Sequence, residues 1–276
     1  MEAVSPDLTV RALRVHAKTL GLEANDANAL LTHVLGKSRT WLAAHDSDPL
    51  PPEHYAQIQA AFSRRAAGEP IAYITGEREF FSRSFLVTPA VLIPRPETEA
   101  LVEFALTQAQ HGAKILDICT GSGCVAISIA CERADLTVYA SDLSESALTV
   151  ARSNAARLAA RVQWRQGDLF APWVDENFAL IVANPPYIAV KDHHLQQGDL
   201  RFEPPMALTD YADGLQLISA LITQSLSHLE PGGILALEHG FDQAPVVRNL
   251  MGAAGYTQIQ SITDLAGHER ITHARR

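Results

Sequence analysis

Lys114-Ile115-Leu116-Asp117-Ile118-Cys119-Thr120-Gly121-Ser122-Gly123-Cys124-Val125-Ala126 reads as a short buried strand, a glycine-rich turn and the opening of a helix. The strand is Ile115 to Ile118, the turn Cys119 to Gly123, and the helix Val125 to Ala130. Strand, tight turn and helix in that order make a nucleotide-binding opening. Glycines at 121 and 123 let the backbone approach a ligand with no Cβ in the way. The next strand, Leu136 to Ser141, ends in Asp142, an acceptor-only carboxylate where a ribose diol would donate two hydrogen bonds. Such bonds are worth about 1.5–3 kcal/mol each. Replacing Asp142 is therefore expected to cost about a decade or more of cofactor affinity, measured by titration. From Glu97 onward strands and helices alternate, which is the pattern of a doubly wound α/β sheet.

Two nucleotide classes fit this opening. Gly121 to Ala126 matches G-x-G-x-x-A, and Asp142 follows at about the interval of a dinucleotide fold, so a nicotinamide oxidoreductase is a rival. Asp117 turns the argument toward S-adenosylmethionine. It stands at the strand end before the glycines, where a carboxylate receives an ammonium and repels a pyrophosphate. Gly167-Asp168-Leu169-Phe170, after the third strand, offers an acceptor and an apolar edge suited to adenine. The plainer readings are an N-cap for Asp168 and a turn carboxylate for Asp142.

Downstream, the apolar run Phe178 to Ala183 suits a strand buried on both faces of a parallel sheet, and it ends in Asn184-Pro185-Pro186-Tyr187. Ligands of open α/β sheets bind at the carboxyl ends of strands. The two prolines stiffen the backbone and remove donors, leaving carbonyls free to accept. The Asn184 oxygen and the Pro185 carbonyl would each take one N–H of a planar nitrogen, with Tyr187 as a face beside it. An ordinary turn followed by a core tyrosine is the alternative.

Asp117-x-x-Thr120-Gly121-Ser122-Gly123, Asp142, Asp168 and Asn184-Pro185-Pro186-Tyr187 together resemble class I methyltransferases acting on amino or amide nitrogens. Pro70 to Gly76, Glu79-Phe80-Phe81 and Ile93-Pro94-Arg95-Pro96-Glu97-Thr98-Glu99 resemble the HemK/PrmC family, as do Phe202-Glu203-Pro204, Asp213-Gly214-Leu215, Leu237-Glu238-His239-Gly240 and Glu269-Arg270. The likeness covers nearly the whole chain. It implies a Rossmann-like seven-stranded sheet with a small N-terminal helical domain and a β-hairpin linker. It also implies transfer of methyl from S-adenosylmethionine to the N5 amide of the glutamine in the Gly-Gly-Gln loop of class 1 peptide chain release factors. The site residues implied are Asp117, Cys119, Thr120, Gly121, Ser122, Gly123, Asp142, Asp168, Leu169 and Asn184 for the cofactor. Asn184, Pro185, Pro186, Tyr187, Phe81 and Arg95 are implied for the substrate, with Asn184, Pro185 and Tyr187 at the chemistry. The family usually has Gly at the position of Cys119 and often Trp at that of Leu169. Cys-Thr-Gly-Ser-Gly-Cys is more typical of the sister enzymes that methylate a glutamine of a large-subunit ribosomal protein. Ile93 to Glu99 and Leu237 to Gly240 favour the release-factor enzymes.

Composition bounds these readings. The 276 residues are 47% hydrophobic, enough for a sizeable core and more than one domain. No apolar run is long enough to span a bilayer and no secretory leader is visible, so a cytoplasmic protein without a membrane partner is expected. Cys119, Cys124 and Cys131 are an odd number with no C-x-x-C pair, which argues against disulfides and zinc. A net charge of −9, with Arg64-Arg65 and Arg275-Arg276 as the adjacent basic pairs, disfavours gripping duplex phosphates. Adenine-N6 methylation of nucleic acid, the other common use of Asn-Pro-Pro-Tyr, is disfavoured with it. A monomer is expected.

The domains expected are 1–75, a helical substrate-docking unit; 76–96, a hairpin linker; and 97–276, the methyltransferase domain. Helices are read at Leu8 to Leu20, Asn25 to Leu35 and Pro52 to Ala67, and a hairpin at Phe80 to Val87 that would bring Phe81 near the active site. Ile188 to Tyr211 has no clean periodicity and reads as a substrate cover. His193 and His194 would point apart in an extended chain, with no metal expected. Tyr256 to Ile262 and Glu269 to His273 read as a closing antiparallel pair, and His239 and Arg270 as structural. A non-catalytic protein that docks a translation factor is the reading from another class.

Overall fold

A computed structural model describes residues 8–264 and 266–276. The chain folds as two compact units, one reaching Gly76 and one spanning Glu77–Arg276.

The first unit is helical: Val10–Thr19, Ala24–Leu35, Arg39–Ala44, Tyr55–Ala66 and Ile71–Thr75. Thr9 and Ser38 cap two of these, each accepting at 3.1 Å from the N–H three residues on. Leu30, Leu31, Leu42, Ile58 and Phe62 are fully buried in its core. Arg39–Ala44 and Ile71–Thr75 are helices not anticipated from the sequence, because six and five residues are too few to show a helical period. Pro52 opens a 3₁₀ turn, and the α-helix proper begins at Tyr55. Among the described residues no helix is long and apolar enough to cross a membrane.

The second unit opens with the antiparallel pair β1 (Glu77–Phe80) and β2 (Arg83–Leu86). Its two turn residues, Phe81 and Ser82, have φ of 49° and 57°. Those are left-handed values that a two-residue hairpin demands and that Gly or Asn adopt at least cost. The turn is held from outside: the Phe81 N–H donates to Glu99 at 2.9 Å and the Arg83 guanidinium to the Phe81 carbonyl at 2.9 Å. Buried Asn154 ties β2 down, accepting from Leu86 N–H at 2.7 Å and donating at 3.0 Å to the carbonyls of Leu86 and Ser122.

Seven strands follow: β3 (Lys114–Ile118), β4 (Thr137–Asp142), β5 (Val162–Gln166), β6 (Phe178–Ala183), β7 (Leu229–Glu238), β8 (Thr257–Thr263) and β9 (Glu269–Arg275). They form one sheet in the order β5-β4-β3-β6-β7-β9-β8. Neighbours from β5 to β7 are parallel, and β9 is antiparallel to both β7 and β8. Alternating side chains feed two cores, with Ile115, Leu180 and Val182 on one face and Leu116, Ile118 and Ile181 on the other. Full burial of each such side chain is worth about 1.5–3 kcal/mol. The order of strands reverses between β3 and β6, and the crevice at their carboxyl ends is where such sheets bind ligands. Asp117 on β3 and Asn184 just after β6 therefore converge.

The segment after Tyr187 is built from 3₁₀ turns at His193–Gln196 and Gly198–Phe202 and a one-turn helix Pro205–Leu208. Ile188 pairs with Thr209 across its base. Glu203, 3% exposed, pins its middle: one oxygen accepts from Ile93 N–H at 2.9 Å and the other pairs with Arg95. The 3₁₀ turn corrects the expectation for the two histidines. Their rings lie 4.0 Å apart, and His194 Nδ1 is 2.7 Å from Asp192 Oδ1, on an exposed surface.

Candidate functional site

A cavity of about 650 Å³ opens at the carboxyl ends of β3, β4 and β6. Asp117, Cys119, Thr120, Gly121 and Ser122 contribute one wall; Asp142, Gly167, Asp168 and Leu169 contribute the next; Asn184, Pro186 and Arg95 close the third.

Asp117 is 1% exposed. Its Oδ2 accepts from the Thr120 hydroxyl at 2.6 Å and the Ala126 N–H at 3.2 Å, so the turn and the following helix fold around this carboxylate. Burial pushes its carboxyl up to about 7, and nearby Asp142 pushes the same way, against the pull of Thr120 and Ala126. Among the described residues no cation acts on this buried carboxylate, which makes it a seat for an ammonium. Affinity for S-adenosylhomocysteine should therefore climb about tenfold per pH unit up to about 7 and level off above it. Calorimetric titration from pH 5.5 to 8.5 checks this, with Asp117→Asn abolishing the rising limb. Affinity that is level across the acidic half would exclude Asp117 as that seat.

Asp142 is drawn inward by two N–H donors, Gly121 on Oδ2 and Ser144 on Oδ1, both at 2.9 Å. Burial raises its carboxyl above the usual range while these N–H groups lower it. Each oxygen keeps a further lone pair for a diol. The turn between β3 and the next helix is strained at Cys119, whose φ of 61° costs an L residue about 1–2 kcal/mol and suits glycine. Leu169 and Tyr211, with φ of 44° and 61°, are further such residues on the cavity wall. Gly123 is required on two counts: φ is 80°, and an added Cβ would lie 2.9 Å from Ile127 Cδ1.

The tetrapeptide is fixed from behind. Asn184 donates from Nδ2 to Thr98 Oγ1 at 3.2 Å, and among the described residues nothing donates to its Oδ1 or to the Pro185 carbonyl. The Tyr187 carbonyl accepts from Gln243 Nε2 at 3.0 Å, and Gln243 Oε1 accepts from Gly240 N–H at 2.8 Å. Gly214 packs on the same carbonyl, and its own carbonyl accepts from Gln243 Nε2 at 3.4 Å. Asp210 knots the chain leading there, accepting from the N–H groups of Ala212, Gly214 and Gln216 at 2.9 Å each.

The structure thus gathers Asp117, Cys119, Thr120, Gly121, Ser122, Asp142, Asp168, Leu169, Asn184, Pro186 and Arg95 around one cavity. Gly123, Pro185, Tyr187 and Phe81 are outside its wall. Gly123 starts the helix behind the turn, and Pro185 is buried. Tyr187 packs against the core. Phe81 lies on the other core beside Phe80, because the hairpin is fastened to Asn154 and, through Arg83, to Glu132. Arg95 reaches the wall already paired with Glu203. Thr98, Gln243, Asp210 and Asn154 were missed as supports. Thr98 sits inside the Ile93–Glu99 motif, but no spacing rule links it to Asn184.

Residues 10–76 match the family model for the PrmC N-terminal domain, and residues 96–199 the methyltransferase small domain. The release factor glutamine methyltransferase of Bordetella pertussis is 49% identical over 91% of this chain and 94% of its own length. That of Escherichia coli K12 is 44% identical over 91% of each chain. A methyltransferase from Pyrococcus furiosus shares the fold, with a TM-score of 0.55 at 21% identity over 77% of this chain and 95% of its own. Fold, cavity and relatives agree, and the chain belongs to the release factor glutamine methyltransferase family.

Proposed function

We propose that this chain transfers a methyl group from S-adenosylmethionine to the N5 amide of the glutamine in the Gly-Gly-Gln loop of class 1 peptide chain release factors. One observation carries the reading: Asn184, on the cavity wall, turns its amide nitrogen onto Thr98, and among the described residues nothing donates to its Oδ1 or to the carbonyl of the very next residue, Pro185.

The residues fit the cofactor. Asp117 offers a buried carboxylate for an ammonium, Asp142 acceptors for a diol, and Asp168 with Leu169 an acceptor and an apolar edge for adenine. When bound, S-adenosylmethionine supplies an electrophilic methyl carbon. An amide nitrogen is a weak nucleophile because its lone pair is delocalised into the carbonyl. Asn184 Oδ1 and the Pro185 carbonyl accept the two N–H bonds, which orients the lone pair away from them. The same oxygens stabilise the positive charge that develops on nitrogen, and that charge is discharged when one of the two N–H protons leaves to solvent after transfer. Fixing that orientation removes the entropy of the encounter. Tyr187 buttresses the tetrapeptide from the core side, and the helical unit reaching Gly76 docks the release factor.

Duplex nucleic acid is a poorer fit. Arg64 and Arg65 are paired with Glu69 and Asp26, and Arg275 and Arg276 donate to the carbonyls of Gly232 and Leu229. The deciding experiment is methyl transfer from labelled cofactor to a wild-type release factor beside a variant whose loop Gln is replaced by Glu. Label on the first alone is expected; label on neither, or equally on both, would overturn the assignment.

A further inference from the structure

His239 directly follows β7 and is fully buried. Its backbone N–H continues the pairing with β9, donating to the Arg270 carbonyl at 2.9 Å. Its ring joins two halves of a hydrogen-bonded chain. Nδ1 lies 2.8 Å from the Gly240 carbonyl, and Nε2 lies 2.7 Å from the hydroxyl of Thr272, a fully buried residue of β9. Thr272 Oγ1 is 2.9 Å from Ser261 Oγ on β8, and Ser261 Oγ is 2.7 Å from Nη1 of Arg248, in the helix Ala244–Ala254. On the other side Gly240 is clasped twice by Gln243. Its carbonyl accepts from the Gln243 N–H at 2.9 Å, and its own N–H donates to Gln243 Oε1 at 2.8 Å. Gln243 Nε2 then reaches the carbonyls of Tyr187 and Gly214, at 3.0 and 3.4 Å.

We infer that His239 is a positioning residue for methyl transfer: held as the neutral ring with its hydrogen on Nδ1, it steadies the Gly240–Gln243 clasp and thereby the Tyr187 carbonyl of the tetrapeptide. Counting hydrogens along the chain forces that form. A guanidinium only donates and a carbonyl only accepts, so both ends are set. Arg248 donates to Ser261, Ser261 to Thr272 and Thr272 to Nε2, while Nδ1 donates to Gly240. Each group between the ends gives one hydrogen and takes one. A hydrogen on Nε2 would turn the Thr272 hydroxyl back toward Ser261, whose own hydrogen then has no acceptor among the described residues. Leaving a buried donor unmade is costly. Burial works in the same sense, holding the imidazole below its ordinary pKa, as do Arg248 and Arg270, against the Gly240 carbonyl and Glu269. Gly240 has no Cβ to restrict its own turn, so the ring on its carbonyl and Gln243 on both of its polar groups decide its conformation.

The positioning role rests on the proposed reaction and the form of the ring does not, so the two are read separately. Wild-type transfer to the release factor, measured first, tests the reaction by itself. In the ¹⁵N-labelled full chain at pH 7, long-range ¹H–¹⁵N spectra, with the His239 ring assigned by its loss in His239→Leu, should show a hydrogen on Nδ1 and none on Nε2. A hydrogen on Nε2, or on both nitrogens, would overturn the chain of donors. Thr272→Val, which keeps the shape and removes the donor to Nε2, is expected to lower kcat about tenfold, with KM for the release factor and affinity for S-adenosylhomocysteine within about twofold. Thr272→Ser, which restores the hydroxyl, should stay within about twofold of wild type. His239→Leu and Gln243→Met should each lower kcat about tenfold, and if His239 acts through Gln243 the double variant loses no more than Gln243→Met alone. Thermal unfolding of each variant separates loss of fold from loss of position. Wild-type turnover in a folded Thr272→Val, equal losses for Val and Ser, or losses that multiply in the double variant would each overturn the assignment.

Discussion

Replacing Asn184 with alanine is expected to lower turnover about 10²–10³-fold, the usual cost of deleting one preorganised partner of a charge that develops in the transition state. Affinity for S-adenosylhomocysteine should stay within about threefold, since the groups assigned to the ligand's amine and diol, Asp117 and Asp142, are untouched. The split follows from position. Asn184 is held by Thr98 at the third wall of the cavity, whereas the carboxylates sit on the first two. Single-turnover transfer and calorimetric binding, measured side by side, check both halves. Unchanged turnover would remove Asn184 from the chemistry, and a matching loss of binding would make it a cofactor residue alone.

Gly214→Ala is expected to be nearly as damaging, although Gly214 need touch neither substrate nor cofactor. Its φ is +83°, and an added Cβ would sit 2.2 Å from the Tyr187 carbonyl oxygen, 2.9 Å from its carbon and 3.1 Å from Ala189 N. All three obstacles are backbone, and the carbonyl is already held by Gln243. Overpacking of about 1–3 kcal/mol adds to left-handed strain of about 1–3 kcal/mol, so a stability loss of about 2–6 kcal/mol is expected. Whatever yields is the tetrapeptide, and a displacement of about 1 Å at a reacting group can cost about a hundredfold in rate. Gly232→Ala is the control: φ is +77° but no atom lies within 4 Å of the added Cβ. If Gly214→Ala melted and turned over like Gly232→Ala, the close approach would carry no weight.

The middle of the sheet was legible because strands such as β3 and β6 are short apolar runs bounded by turn residues. The run Phe178 to Ala183 is β6 to the residue, and the closing antiparallel pair lies within two residues of its expected bounds. Helices of five or six residues were not, since Arg39–Ala44 and Ile71–Thr75 are too brief for a helical period. The hairpin was expected at Phe80 to Val87, whereas its first strand is Glu77–Phe80; the turn lacks the usual Asn-Gly signal, because Phe81 and Ser82 are held in left-handed geometry by Glu99 and Arg83.

Chemistry written into contiguous residues was decided by the chain alone: a carboxylate before a glycine turn, an acid at the next strand end, an asparagine before two prolines. These follow from local geometry, in which the end of a strand determines where its next side chain stands. What surrounds them was decided only by the tertiary structure. Phe81 lies off the cavity wall, Arg95 is already paired with Glu203, and Thr98 holds Asn184 across 86 residues of sequence. Such partnerships depend on which strand lies beside which, and the reversal of order between β3 and β6 is a property of the whole sheet.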